Sequence, residues 1–126
     1  MSTKYNVITR RKPGDPTAPE KYYPSIKSSG RVTLRQLSKQ IAEISTVSSV
    51  DTMAVLEALL TLIPREIANG NIVSLGDFGT FRLRIQSEGA DSPEEVTAKN
   101  IKRVLPLFTP GKEFKQALST TEFTKE

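Results

Sequence analysis

The chain has 126 residues, 37% of them hydrophobic, with 18 basic and 14 acidic side chains and a formal net charge of +4. It contains neither histidine nor cysteine, which removes the common zinc sites, haem ligation by His, Cys nucleophiles and Ser-His-Asp triads. What remains is one ordinary domain, with room for an appended element and a core thin enough that oligomerisation is a natural way to bury more surface.

Residues 4–11 are β-branched and aromatic with partial alternation, and read as a strand. Residues 12–20 hold Pro13, Gly14, Asp15, Pro16 and Pro19 and read as a loop. A second strand over Tyr22–Lys27 can return beside the first, with Pro24 confining it to an edge. Residues 1–30 are therefore expected to be an N-terminal β extension. Their polar start shows no apolar leader, and no stretch reaches the ~20 apolar residues of a membrane span.

Leu34, Leu37, Ile41 and Ile44 fall at helical spacing after Thr33, a residue suited to cap a helix. Ser48 with Asp51 has the form of a capping box, and Val55, Leu56, Leu59, Leu60, Ile63 and Ile67 give the second helix a broad apolar face. Pro64 cannot donate to the carbonyl four residues back, so a kink or tightened final turn is expected there. Asn69-Gly70-Asn71 supplies a left-handed stop.

Ile72, Val73 and Leu75 form a short strand, and Gly76-Asp77-Phe78-Gly79 a tight connection. Phe81, Leu83 and Ile85 then alternate with Arg82 and Arg84, the pattern of a half-buried strand with a basic outer face. Residues 87–98 are polar and acidic, a loop or projecting hairpin. Residues 101–108 return as a strand, with Lys102 or Arg103 expected across from Arg82 and Arg84, and Pro106 marking an edge or bulge. Thr109 is expected to cap, and Pro110 to start, a last helix through Lys112, Phe114, Ala117 and Leu118. Residues 121–126 read as a polar tail.

Charge is unevenly distributed. Residues 1–30 hold six basic and two acidic groups and residues 101–126 five and three, whereas residues 76–100 hold three and five. The two ends are the candidate phosphate-facing regions.

The string Val73-Ser74-Leu75-Gly76-Asp77-Phe78-Gly79-Thr80-Phe81, with Pro106-Leu107-Phe108 and Pro110-Gly111-Lys112 followed by Lys115 and Leu118, resembles the signature of the HU/integration-host-factor family. Leu37, Ile41, Ala42, Glu43 and Ser48 fit that family's first helix and turn, so the likeness spans roughly residues 33–120. The N-terminal β segment is similar to that of HU-like variants from Bacteroidetes. The resemblance implies an α+β fold of two N-terminal helices, a small antiparallel sheet with a β-arm and a short C-terminal helix, over residues 31–120. It also implies an intertwined homodimer that bends DNA with little sequence specificity, each arm inserting a proline wedge into the minor groove.

The arm departs from the family. In place of an arginine-rich ribbon with an Arg-Asn-Pro tip stands a segment, residues 87–99, with Glu88, Asp91, Glu94 and Glu95 against one lysine, Lys99. Carboxylates are unfavourable in the already negative minor groove, so Pro93 reads as a plain loop proline. The DNA-binding candidates are Arg82, Arg84, Lys99, Lys102, Arg103, Lys112 and Lys115; Lys112 and Lys115 match family lysines and share a helix face. Arg10, Arg11 and Lys12 form a further basic tract, for which phosphate contact and edge protection stay open.

The leading expectation is a nucleoid-associated dimer, cytoplasmic, that binds double-stranded DNA through backbone phosphates, with no cofactor, metal, membrane or small-molecule substrate. The alternative keeps the HU-like dimer as a protein-interaction module with weak or lost DNA binding, as the acidic arm suggests. An enzyme is not expected, because the usual acid–base and nucleophile sets are missing.

Overall fold

Local chemistry accounts for most element boundaries in the computed structural model, which describes residues 2–126. The order is β1 (Ser2–Arg10), β2 (Lys21–Lys27), α1 (Leu34–Ile44), α2 (Ser49–Ala68), β3 (Val73–Ser74), β4 (Gly79–Ser87), β5 (Ile101–Pro110), α3 (Lys112–Ser119) and β6 (Glu122–Lys125). α1 begins directly after Thr33. Ser48 caps α2, its hydroxyl accepting the Asp51 backbone N–H at 3.1 Å. Pro64 lies inside α2, which nevertheless continues to Ala68. The helix stops at Asn69, and Gly70 takes the left-handed conformation with φ +88°.

The chain divides into two compact units. One comprises the residues up to Thr33 together with Leu118–Glu126, the other Leu34–Ala117. The first is built on a three-stranded sheet of order β2-β1-β6, antiparallel between β1 and β2 and parallel between β1 and β6. The expected polar tail at residues 121–126 is thus corrected. Glu122–Lys125 pairs with β1, covering backbone groups that would otherwise form a bare edge, and the Glu126 N–H continues the pairing to the Tyr5 carbonyl at 3.1 Å.

The second unit packs α1 on α2, and α2 on an antiparallel sheet of order β3-β4-β5. Four aromatic rings join the sheet to α3. Phe108 lies 4.8 Å from Phe81, 5.7 Å from Phe78 and 5.6 Å from Phe114, and Phe78 meets Phe114 edge-on at 5.0 Å. The last helix starts later than expected. Pro110 remains in β5 opposite Gly79, and the Gly111 N–H donates to the Phe78 carbonyl at 2.8 Å before α3 begins at Lys112. Gly111 lies so close to the Asp77 carbonyl that a Cβ would overlap it.

Among the described residues of the single chain, Ile67 is the only large apolar side chain that is buried, while Leu59, Leu60, Leu62, Leu83, Ile85 and Val104 are all exposed. No helix of the described residues is long and apolar enough to cross a membrane.

Candidate nucleic-acid interface

The β4–β5 ribbon carries most of the candidate cations, and its register decides which of them share a face. Arg82 stands opposite Leu107, Arg84 opposite Leu105 and Gln86 opposite Arg103. Directly opposed residues project to the same side of an antiparallel pair, so Arg82, Arg84 and Arg103 occupy one face. The expectation that Lys102 or Arg103 stands across from Arg82 and Arg84 is therefore corrected. Leucines occupy those places, and Arg103 lies diagonally beyond Arg84.

Lys102 is the extra residue of a register shift. Gln86 pairs with Arg103 but Ser87 with Ile101, which leaves Lys102 unopposed in the ladder. Its ammonium reaches the Glu88 carboxylate at 3.4 Å. Both groups are about half exposed or more, so the pair contributes at most ~1 kcal/mol. Among the described residues it is the one candidate cation held in an ion pair.

Beyond the bulge the chain folds into a closed loop rather than an extended arm tip. The Glu88 N–H donates to the Asn100 carbonyl at 2.8 Å, and the Asn100 amide nitrogen returns a bond to the Glu88 carbonyl at 3.1 Å. The Asn100 side-chain oxygen accepts the Thr97 N–H at 2.9 Å, completing a capping box around the turn Ala98–Asn100 that holds Lys99. Pro93 opens a second short turn, Pro93–Glu95, its missing N–H being no loss at that position. Glu88, Asp91, Glu94 and Glu95 are all exposed around this loop.

Lys112 and Lys115 lie at the other end of the ribbon, exposed in the first turn of α3. The run of β4 from Gly79 to Ser87 measures about 27 Å at ordinary strand rise. The candidates are thus not one cluster. Three arginines line the ribbon face, Lys102 sits beside the Glu88 carboxylate and Lys99 in the turn at its tip, and Lys112 and Lys115 flank its root. Leu105 and Leu107 also belong to this face, which the sequence pattern alone does not reveal. Pairing Gly79 with Pro110 is the signal that would have placed them.

A family model described as an HU domain fused to a wHTH, Ig or glycine-rich motif matches residues 1–125. The chain belongs to the HU family. The DNA-binding protein HU of Thermus thermophilus is 33% identical over 87 residues, covering 67% of this chain and 89% of the relative. The DNA-binding protein HU-alpha of Escherichia coli O157:H7 is 34% identical over 86 residues, 66% of this chain and 94% of the relative. Among solved structures, an Anabaena HU–DNA cocrystal structure matches with a TM-score of 0.56 and 25% identity, over 71% of this chain and 99% of that one. A crystal structure of a protein from Bacteroides vulgatus matches with a TM-score of 0.63 over 99% of this chain and 49% of that one, at 12% identity, a likeness of fold. The HU relatives thus account for about two thirds of the chain, whereas the family model reaches into the N-terminal sheet.

Proposed function

We propose that this HU-family chain binds double-stranded DNA as a homodimer at the nucleoid, with little sequence preference, by contacting backbone phosphates. The observation that carries the reading is the ribbon face on which Arg82, Arg84 and Arg103 stand together with, among the described residues, no carboxylate paired to any of them. Guanidinium groups match phosphate oxygens in forked geometry. The relatives named DNA-binding protein HU, and the Anabaena HU–DNA complex, supply the partner class. Lys112 and Lys115 add cations at the ribbon root, where the first N–H groups of α3 are also free of helical partners.

Exposed surface supports the proposed dimer. The chain exposes 10647 Å². Two compact bodies of the sizes of its two units would together expose about 8,000 Å², so roughly 2,500 Å² per chain is surface that a compact fold would cover. A second copy of this chain is the proposed cover. It would sit over the apolar cleft of about 600 Å³ in which Leu60, Ile63 and Ile67 of α2 face Leu83, Val104 and Pro106 of the ribbon.

A second reading keeps the dimer as a protein-interaction module, favoured by the exposed Asp91, Glu94 and Glu95 at the ribbon tip. A gel shift on random-sequence duplex separates the two. DNA binding predicts retardation at about 50 mM salt, with log K falling by about 0.9 per neutralised phosphate for each unit of log salt. No retardation at that salt gives the protein-interaction reading the field.

A further inference from the structure

The N-terminal unit holds a cationic cleft of its own. β1 and β2 end on the pair Arg10 and Lys21, directly opposite each other across the ladder. Two like charges in that position repel and destabilise the hairpin. At the other end of the same face the equivalent pair, Lys4 and Lys27, is relieved by an ion pair between Lys27 and Glu126. Arg10 and Lys21 have no such relief, and neither does Lys12: among the described residues no carboxylate pairs with any of the three.

The nearby acids are engaged elsewhere. Glu20 holds Arg11 at 2.9 Å, and Arg11 also donates to the Pro16 carbonyl at 3.0 Å, which braces the loop between the strands. The Asp15 carboxylate accepts from the Thr17 hydroxyl at 2.6 Å and the Thr17 N–H at 3.0 Å. The result is a cleft of about 660 Å³ with Arg10, Lys12 and Lys21 on its walls. The ring of Tyr23, on the same sheet face as the Arg10–Lys21 pair and 43% exposed, forms another side.

We infer that this cleft is a second nucleic-acid contact, taking phosphodiester backbone between Arg10, Lys12 and Lys21, with Tyr23 offering a flat surface to the adjoining sugar or base. An uncompensated cation pair at the end of a hairpin costs stability that an anion would return; cations serve the phosphates of either a duplex or a single strand, and an exposed aromatic ring beside them offers a stacking surface to the unpaired bases of a single strand. An acidic peptide would use the cations but leave the ring without a role. The inference deepens the proposed DNA binding and rests on it for the class of ligand alone, since the cleft belongs to a different unit from the ribbon.

The test uses the full chain and two double variants, R10Q/K21Q and R82Q/R84Q, each read by thermal unfolding and by the salt dependence of binding to random-sequence duplex and single strand. R10Q/K21Q should unfold at the same temperature as the parent or higher, because a repulsion is gone. Its slope of log K against log salt should be shallower by about 0.9 on duplex and about 0.7 on single strand for each phosphate that is no longer neutralised, up to about 1.8 and about 1.4 per chain respectively. An unchanged slope on both nucleic acids overturns the inference even if R82Q/R84Q lowers it, and the ribbon reading then stands alone. A slope lowered by R10Q/K21Q but not by R82Q/R84Q upholds the cleft and removes the ribbon. If R10Q/K21Q abolishes binding of polyglutamate and leaves nucleic-acid binding intact, the cleft takes acidic protein and the inference falls. A parent chain that binds neither nucleic acid at about 50 mM salt overturns both readings.

Discussion

Replacing Gly79 by alanine should loosen the root of the ribbon at a cost that the structure lets one work out. Gly79 has φ +150° and ψ −178°, a backbone region that side chains rarely enter. Holding a residue with a Cβ there costs roughly 1–3 kcal/mol. The new methyl would also stand 2.6 Å from the Phe108 ring and 2.6 Å from the Thr109 carbonyl oxygen, the second being backbone that cannot swing away. Overpacking of that kind costs roughly another 1–3 kcal/mol, so about 4 kcal/mol in all is expected. At the unfolding entropy usual for a chain of this length, that lowers the thermal midpoint by about 15 °C. The control is Gly89→Ala, where φ is not positive and nothing lies within 4 Å of the new atom; it should stay within about 0.5 kcal/mol of the parent. Both are measured by circular dichroism at one fixed protein concentration, because the proposed dimer would make the midpoint concentration-dependent. Equal midpoints for the two variants would refute the reasoning.

Ser48→Ala removes the acceptor for the Asp51 N–H and should cost about 1 kcal/mol in denaturant unfolding; a loss below a few tenths would mean that water replaces the cap. The two bonds from Thr17, the side-chain one first, hold the Asp15 carboxyl below its ordinary value of 3.8. A carboxyl depressed in the folded state adds stability above its unfolded pKa and loses it as pH falls through the folded value, so the contribution is in place above 3.8 and its pH dependence lies on the acid side of that value. Thr17→Val should move the Asp15 titration upward toward that value in an NMR titration, and an unmoved titration would place the cause elsewhere. Glu88→Gln releases Lys102 from its ion pair. The variant should keep its stability within about 1 kcal/mol and steepen the DNA salt slope by about 0.9 for each lysine freed to meet a phosphate, whereas an unchanged slope would show that Lys102 plays no part.

How much of the fold is legible in the sequence depends on the range of the interaction concerned. The helical stripe of Leu34, Leu37, Ile41 and Ile44, the cap at Ser48, the stop at Gly70 and the alternation of Phe81, Leu83 and Ile85 are local, set by steric and hydrogen-bonding rules within a few residues. The same holds for the signature around Gly76 and Gly79, where both glycines take positive φ. Composition alone rules out histidine and cysteine chemistry, and the basic bias of the N-terminal thirty residues is plain from counting.

Tertiary structure decided whatever depends on which strand lies beside which. Glu122–Lys125 has no pattern that distinguishes it from a tail, and becomes a strand because β1 offers it a free edge. Arg82 and Arg84 face leucines rather than Lys102, because the pairing of Gly79 with Pro110 at one end and the bulge at the other fix the register between them. Arg10 and Lys21, eleven positions apart in the sequence, become opposed cations only when the β1–β2 ladder closes around the Arg11–Glu20 brace. A sequence states each residue's own preference. Register, edge and opposition belong to pairs of distant residues, and the chain acquires them when it folds.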